Sequence, residues 1–108
     1  MEFNVLFTNT ARDDLKSIHE YISFDLLAPE AAANTTRGIL AAAKALSSMP
    51  KRNPVYRYEP WKSLEVRFTP FKNYMIFYKV DDEKLTVTVS RIMYGGRDIT
   101  TQLSEDIF

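Results

Sequence analysis

The 108-residue chain contains no cysteine and a single histidine. The lack of cysteine excludes a disulfide framework, a thiol nucleophile and a cysteine-based zinc site. His19 lies at the rim of a predicted apolar helix stripe, and no second ligand follows four residues later. A packing or surface role is therefore favoured over catalysis, and we expect no metal and no cofactor.

Long hydrophobic runs are also missing. No apolar stretch approaches the roughly 20 residues that cross a bilayer. The amino-terminal segment MEFNVLF has neither the basic region nor the long apolar region of a signal peptide. With a hydrophobic content of 45%, the sequence predicts a single cytoplasmic domain over residues 1–108, with no membrane partner.

A net charge of zero conceals an uneven distribution of charge. Residues 1–50 carry four basic and six acidic side chains, residues 51–97 carry ten and five, and residues 98–108 carry none and three. The positive charge therefore belongs to the second half of the chain. It can bind phosphates or an acidic partner, or it can be a solvated charged face.

The first half reads as one strand followed by two helices. Residues 2–7 alternate with aromatic side chains on one side, as in a half-buried strand. Thr10 is the expected N-cap of a helix that reaches to about Asp25. Pro29 stands at the first turn of a second helix, which reaches to about Leu46. A short loop makes the two helices an antiparallel hairpin.

The second half reads as three strands. Leu64 to Phe68 alternates between apolar and polar residues, Tyr74 to Val80 is apolar on both faces, and Leu85 to Met93 follows an acidic turn. The prediction is an α+β fold: an amino-terminal strand, the helical hairpin, and a three-stranded antiparallel meander. The helices should pack on one face of a curved sheet.

Basic side chains gather around these strands. Arg91 and Arg97 bracket Tyr94 in the segment RIMYGGRD, where Gly95 and Gly96 let the backbone approach a ligand closely. A surface that grips an anionic partner would combine these side chains with earlier cations. Our candidates for contact with a target are Arg67, Arg91, Tyr94, Arg97, Lys51 and Arg52.

Five segments, in this order and spacing, resemble the RelE/ParE superfamily of bacterial type II toxin–antitoxin toxins. They are ARDDLKSIHEYI, LLAPEAA, ALSSMPKRNP, EVRFTPFKNYMIFYKVD and VSRIMYGGRD. The resemblance covers nearly the whole chain. It implies a RelE/ParE-like fold and a small toxin without a small-molecule substrate, neutralised by an antitoxin that wraps around it. The expected antitoxin contacts are Ile22, Leu26, Trp61 and Arg67, although Trp61 also reads as a core residue beneath the sheet.

RelE-like members of this superfamily cleave messenger RNA in the ribosome without a metal. The resemblance places Arg67 and Arg97 at basic positions of such a site, with Tyr94 as the acid–base candidate. The chain departs from the pattern where Glu65, Met75 and Leu103 stand in place of lysine, arginine and tyrosine. Loss of a transition-state cation and of an acid–base group would cost orders of magnitude in rate.

ParE-like members instead poison DNA gyrase. The segment KNYMIFYKV is similar to their central strand, and a neutral chain is unusual for a ribosome-bound nuclease. We therefore expect a ParE-like toxin of a plasmid-stabilisation system that acts on DNA gyrase and is not itself an enzyme. Two alternatives stay open: a ribosome-dependent ribonuclease, and an inactive toxin fold that only binds an antitoxin.

Overall fold

A computed structural model describes residues 2–95 of the chain. The predicted α+β class and the order of elements are confirmed. Short 3₁₀ turns at Ala45–Ser47 and Pro50–Arg52 follow the second helix. The elements are β1 (Asn4–Phe7), α1 (Asn9–Glu20) with a π-helical turn (Tyr21–Asp25), α2 (Pro29–Lys44), β2 (Arg67–Phe71), β3 (Tyr74–Asp81) and β4 (Thr86–Tyr94).

The four strands form one sheet in the order β1-β4-β3-β2. The strands β2, β3 and β4 make the predicted antiparallel meander, and β1 pairs in parallel with β4. The pairing of β1 covers only Thr86 to Val89 of β4. The carboxyl half of β4 therefore has an edge that β1 does not reach.

The two helices pack on one face of this sheet, as predicted. The main core combines small side chains of the helices with branched and aromatic side chains of β3 and β4, because alanine lets a helix approach closely. Gly38 serves the same purpose in α2, since a Cβ atom there would collide with the ring of Phe71 in β2. The buried members of this core are Ala11, Ile39, Ala43, Leu46, Ile76, Tyr78, Val87, Val89 and Ile92.

The opposite face of the sheet is covered by the segment 53–66. A second, aromatic cluster forms there from Trp61, Val66, Phe77 and Met93, with Tyr56, Phe68 and Met75 packed against it. Trp61 is only 1% exposed. Trp61 is therefore a core residue beneath the sheet. Its assignment to the antitoxin surface is wrong, because the surrounding segment buries it.

The N-cap of α1 is Thr8, and the prediction of Thr10 is wrong. The Thr8 hydroxyl accepts a hydrogen bond from the Ala11 backbone N–H at 3.0 Å and donates one to the Ser90 carbonyl at 3.0 Å. Both threonines have the chemistry of an N-cap. The contact with β4, 82 residues away in the sequence, is made by Thr8.

The first strand of the meander begins later than predicted. Residues 59–65 form turns, and Glu65 has a φ of 57°, in the left-handed region. Leu64 is exposed, whereas Val66 is buried in the aromatic cluster and β2 starts only at Arg67. The apolar alternation over Leu64–Phe68 therefore spans the end of a turn and the start of a strand.

Candidate functional site

A groove of about 750 Å³ separates α1 and its π-helical turn from the carboxyl end of β4. It lies beside the part of β4 that β1 leaves uncovered. Turns of π-helix occur frequently at functional sites. The groove is lined by Asp14, Ser17, Ile18, Tyr21, Ile22, Leu26, Tyr74, Arg91, Ile92, Met93 and Tyr94.

A carboxylate–guanidinium pair joins the two sides of this groove. The Oδ2 atom of Asp14 accepts hydrogen bonds from Nε of Arg91 and from the backbone N–H of Ile92, both at 2.9 Å. A second guanidinium nitrogen meets Oδ1 at 3.1 Å. Both side chains are 15% exposed, so the pair is only weakly screened by water. Asp14 thereby accepts the hydrogen bond of the Ile92 backbone N–H at the edge of β4, beyond the point where β1 ends. Its negative charge also offsets the positive charge of Arg91.

The sequence did not lead us to Asp14 as a residue of this site. A signal was present, because Asp14, Ile18 and Ile22 recur every four residues on one helix stripe. An acidic residue on the apolar stripe of a helix needs a buried partner. That partner, Arg91, stands 77 residues away in the sequence.

Exposed apolar side chains concentrate at the junction of the two helices, where Tyr21 and Leu26 also line the groove. We call Tyr21, Phe24, Leu26 and Leu27 the apolar rim; Phe24 is 70% exposed and Leu27 is 83% exposed. Leu27 also adopts a φ of 53°, which is strained for a residue with a side chain. Exposed apolar surface concentrated in one short segment typically marks a protein interaction site.

The groove brings together residues that the sequence assigned to two different surfaces. Ile22 and Leu26 were expected to contact an antitoxin, and Arg91 and Tyr94 were expected to contact a target. All four line the same groove. One partner seated there would cover both sets.

Arg67 lies elsewhere. It lies on β2, which β3 separates from β4, and it is not among the residues that line the groove. Arg91 and Tyr94 both line the groove, so Arg67 does not share that surface with them.

The Arg67 side chain instead binds residues 51–53, in the segment that follows α2. One of its guanidinium nitrogens donates to the carbonyls of Lys51 and Asn53, at 3.2 and 2.6 Å. The hydroxyl of Tyr78 donates to the neighbouring carbonyl of Pro50 at 2.6 Å. Burial raises the pKa of Tyr78, and the side chain of Asn53, followed by the charges of Arg67 and Arg52, opposes that rise.

The remaining predicted cations sit near this segment and not at the groove. Lys51 forms an ion pair with Asp82 at the β3–β4 turn, and Arg52 is exposed beside it. Arg97 and the departure at Leu103 lie outside the described residues 2–95. Within that range, no group of three or more His, Asp or Glu side chains is placed to hold a metal ion. Nor does any helix in the described part combine the length and apolarity needed to cross a membrane.

Similar solved structures share this fold. A chain of the chromosomal ParDE TA system from P. aeruginosa superposes with a TM-score of 0.70 at 20% identity, over 86% of this chain and 96% of that one. A chain of the RelBE2 toxin–antitoxin complex from Mycobacterium tuberculosis has a TM-score of 0.62 at 27% identity, over 87% and 99%. A RelE mutant from E. coli in the free state has a TM-score of 0.64 at 14% identity, over the full length of both chains.

A search of curated proteins gives no match to this sequence. A family model does match: "ParE toxin of type II toxin-antitoxin system, parDE" aligns with residues 5–99, which is most of the chain. The expected likeness to RelE/ParE toxins is confirmed by that match and by the shared fold. The chain therefore belongs to the ParE toxin family of type II toxin–antitoxin systems.

Proposed function

We propose that this toxin is neutralised by a cognate antitoxin, acts in the cytoplasm on DNA gyrase, and serves plasmid stabilisation. The chemistry of the groove is the observation that carries the proposal. The groove has an apolar wall and rim, and the arginine that lines it is paired with the Asp14 carboxylate. Such a surface suits contact with another protein better than contact with a phosphate backbone.

The antitoxin would occupy the groove with an amphipathic helix. An apolar helix face commonly binds in a hydrophobic groove through anchors spaced three and four residues apart. The rim residues Phe24 and Leu27 offer exposed apolar surface for such anchors. The similar ParDE and RelBE2 structures come from toxin–antitoxin systems, which supports an antitoxin as the partner.

The geometry gives less support to a ribonuclease. That reaction would use Arg67 and Tyr94 together, but β3 separates their strands. Two strand spacings amount to about 10 Å. Arg67 is also committed to backbone carbonyls. Stabilisation of the transition state needs charged groups aimed at one phosphate, and these carbonyl contacts turn the Arg67 guanidinium to the segment after α2.

A supercoiling assay tests the target. Purified protein should inhibit gyrase supercoiling and trap cleaved DNA, and Tyr94→Ala should weaken both effects about tenfold because Tyr94 is an exposed wall of the groove. Leu6→Ala is the matched control, since Leu6 is equally exposed, at 45%, but lies on β1.

The alternatives give different results in parallel assays. Cleavage of messenger RNA only on programmed ribosomes would overturn the gyrase proposal in favour of the ribonuclease. Inactivity in both assays, with antitoxin binding intact, would identify a toxin fold that only binds. Equal potency of Tyr94→Ala and the wild type would remove Tyr94 from the target surface.

A further inference from the structure

A second cavity, of about 470 Å³, lies on the face of the sheet that the helices do not cover. It opens between the segment 54–58 and the side chains of Phe68 and Met75, with Gly95 at one end. None of its lining residues belongs to the groove described above. Its volume falls within the range of about 300–1,000 Å³ that is typical of small-ligand sites.

Two tyrosine rings form a corner in this cavity. The rings of Tyr56 and Tyr58 meet edge to face, with centroids 5.5 Å apart and planes inclined at 64°. Tyr56 is fixed from behind by edge-to-face contacts with Trp61 and Phe77. Tyr58 is 45% exposed, so part of its ring remains accessible to a ligand.

The charge at this corner is positive. The guanidinium of Arg57 lies 4.9 Å from the centre of the Tyr58 ring. Arg57 is the one charged residue that lines the cavity. The neighbouring carboxylate of Glu59 accepts hydrogen bonds from the backbone N–H and the hydroxyl of Ser63, so it is engaged in its own turn.

We propose that this cavity binds one unpaired nucleobase of a nucleic acid strand, with Tyr58 as the stacking surface and Arg57 as the contact to phosphate. A base presents a flat π-face next to an anionic group, which matches an exposed aromatic ring next to a guanidinium. Stacking of this kind tolerates any base, because every base has a π-face.

A protein segment suits this cavity less well. Protein hot spots are surrounded by further contacts that exclude water. Of the residues that line the cavity, Tyr58 is the only large hydrophobic one that is exposed. The exposed apolar side chains concentrate instead at the apolar rim of the groove.

The test uses the purified chain alone, so its outcome does not depend on gyrase or on an antitoxin. The hexanucleotides rU6 and dU6 are titrated while the fluorescence of Trp61 is recorded. Trp61 is the only tryptophan of the chain, and its ring lies 5.9 Å from that of Tyr56. We expect saturable binding that Tyr58→Ala weakens about 5- to 160-fold, as for other base-stacking aromatics.

Arg57→Ala should weaken binding and reduce the slope of log K against log salt by about 0.7, the value for one phosphate contact on a single strand. Tyr21→Ala and Arg12→Ala are the matched controls, because they remove an exposed tyrosine and an exposed cation from α1 and its π-helical turn. Both should bind like the wild type.

Three results would overturn the proposal: no saturable binding by the wild type, equal losses in Tyr58→Ala and Tyr21→Ala, or equal losses in Arg57→Ala and Arg12→Ala. The two hexamers differ only in the 2′-hydroxyl. With the variant pattern as expected, tighter binding of rU6 assigns the strand to RNA, and tighter binding of dU6 assigns it to DNA. Equal binding supports recognition of the base and phosphate alone.

Discussion

Leu27 combines a strained backbone conformation with an apolar side chain that the fold leaves exposed. A leucine in the left-handed region costs about 1–2 kcal/mol relative to glycine, and its side chain is 83% exposed. Burial within the described residues therefore does little to offset the backbone strain. A partner that covers the apolar rim would bury this side chain, which is why Leu27 has a central place in the proposed antitoxin surface.

Leu27→Asn should therefore change stability and binding in opposite directions. Asparagine tolerates the left-handed region, so we expect unfolding in urea to require about 0.5–1 kcal/mol more. Affinity for the antitoxin should fall about tenfold, since an apolar anchor is lost. Leu26→Asn is the control: Leu26 is exposed but has a φ of −94°, so only affinity should fall. A less stable Leu27→Asn variant would contradict the strain argument.

The elements of this fold were largely predictable, and their long-range contacts were not. Helical and strand periodicity is a local property of the sequence, so α1, α2, β3 and β4 emerge from it. Ends of elements depend on tertiary partners, as the choice of Thr8 over Thr10 and the late start of β2 show. The role of an arginine likewise depends on the partner that the fold places beside it. Arg67 and Arg91 look alike in the sequence, yet one binds backbone carbonyls and the other binds Asp14.

The Asp14 carboxylate links α1 to β4 through Arg91 and the backbone N–H of Ile92. Asp14→Asn keeps the shape of the side chain but removes the charge that faces Arg91, so we expect a loss of about 2–3 kcal/mol in the free energy of unfolding. Asp13→Asn makes the same change of charge at an exposed neighbour and should stay within about 0.5 kcal/mol. Equal urea midpoints for the two variants would show that the pair contributes nothing to stability.

In the described part of the chain, the helices cover one face of the sheet and the segment 53–66 covers the other. Residues 50–53 connect these two layers. This segment follows α2 and leads into the segment 53–66 that covers the other face, and its carbonyls accept hydrogen bonds from Tyr78 and Arg67. Tyr78 is fully buried on the helix side, in the strand that carries Phe77 on the other. The hydroxyl of Tyr78 therefore ties the sheet to the segment that connects the helices on one face with the segment 53–66 on the other.

Titration of Tyr78 should be visible in the stability of the whole fold. Because its folded pKa is raised, the unfolded chain loses the phenolic proton first, near pH 10. The contribution of the protonated Tyr78 to the free energy of unfolding is complete below that pH. It is lost as the pH rises toward the folded pKa.

Tyr78→Phe removes both the hydrogen bond to Pro50 and this titration. We expect it to cost about 1 kcal/mol at pH 7, with the difference from the wild type narrowing above pH 10 in urea unfolding. Tyr58→Phe, at an exposed tyrosine, controls for the loss of a phenol. If the difference in the free energy of unfolding between Tyr78→Phe and the wild type stays constant across pH 7–11, the buried hydroxyl does not link proton release to unfolding.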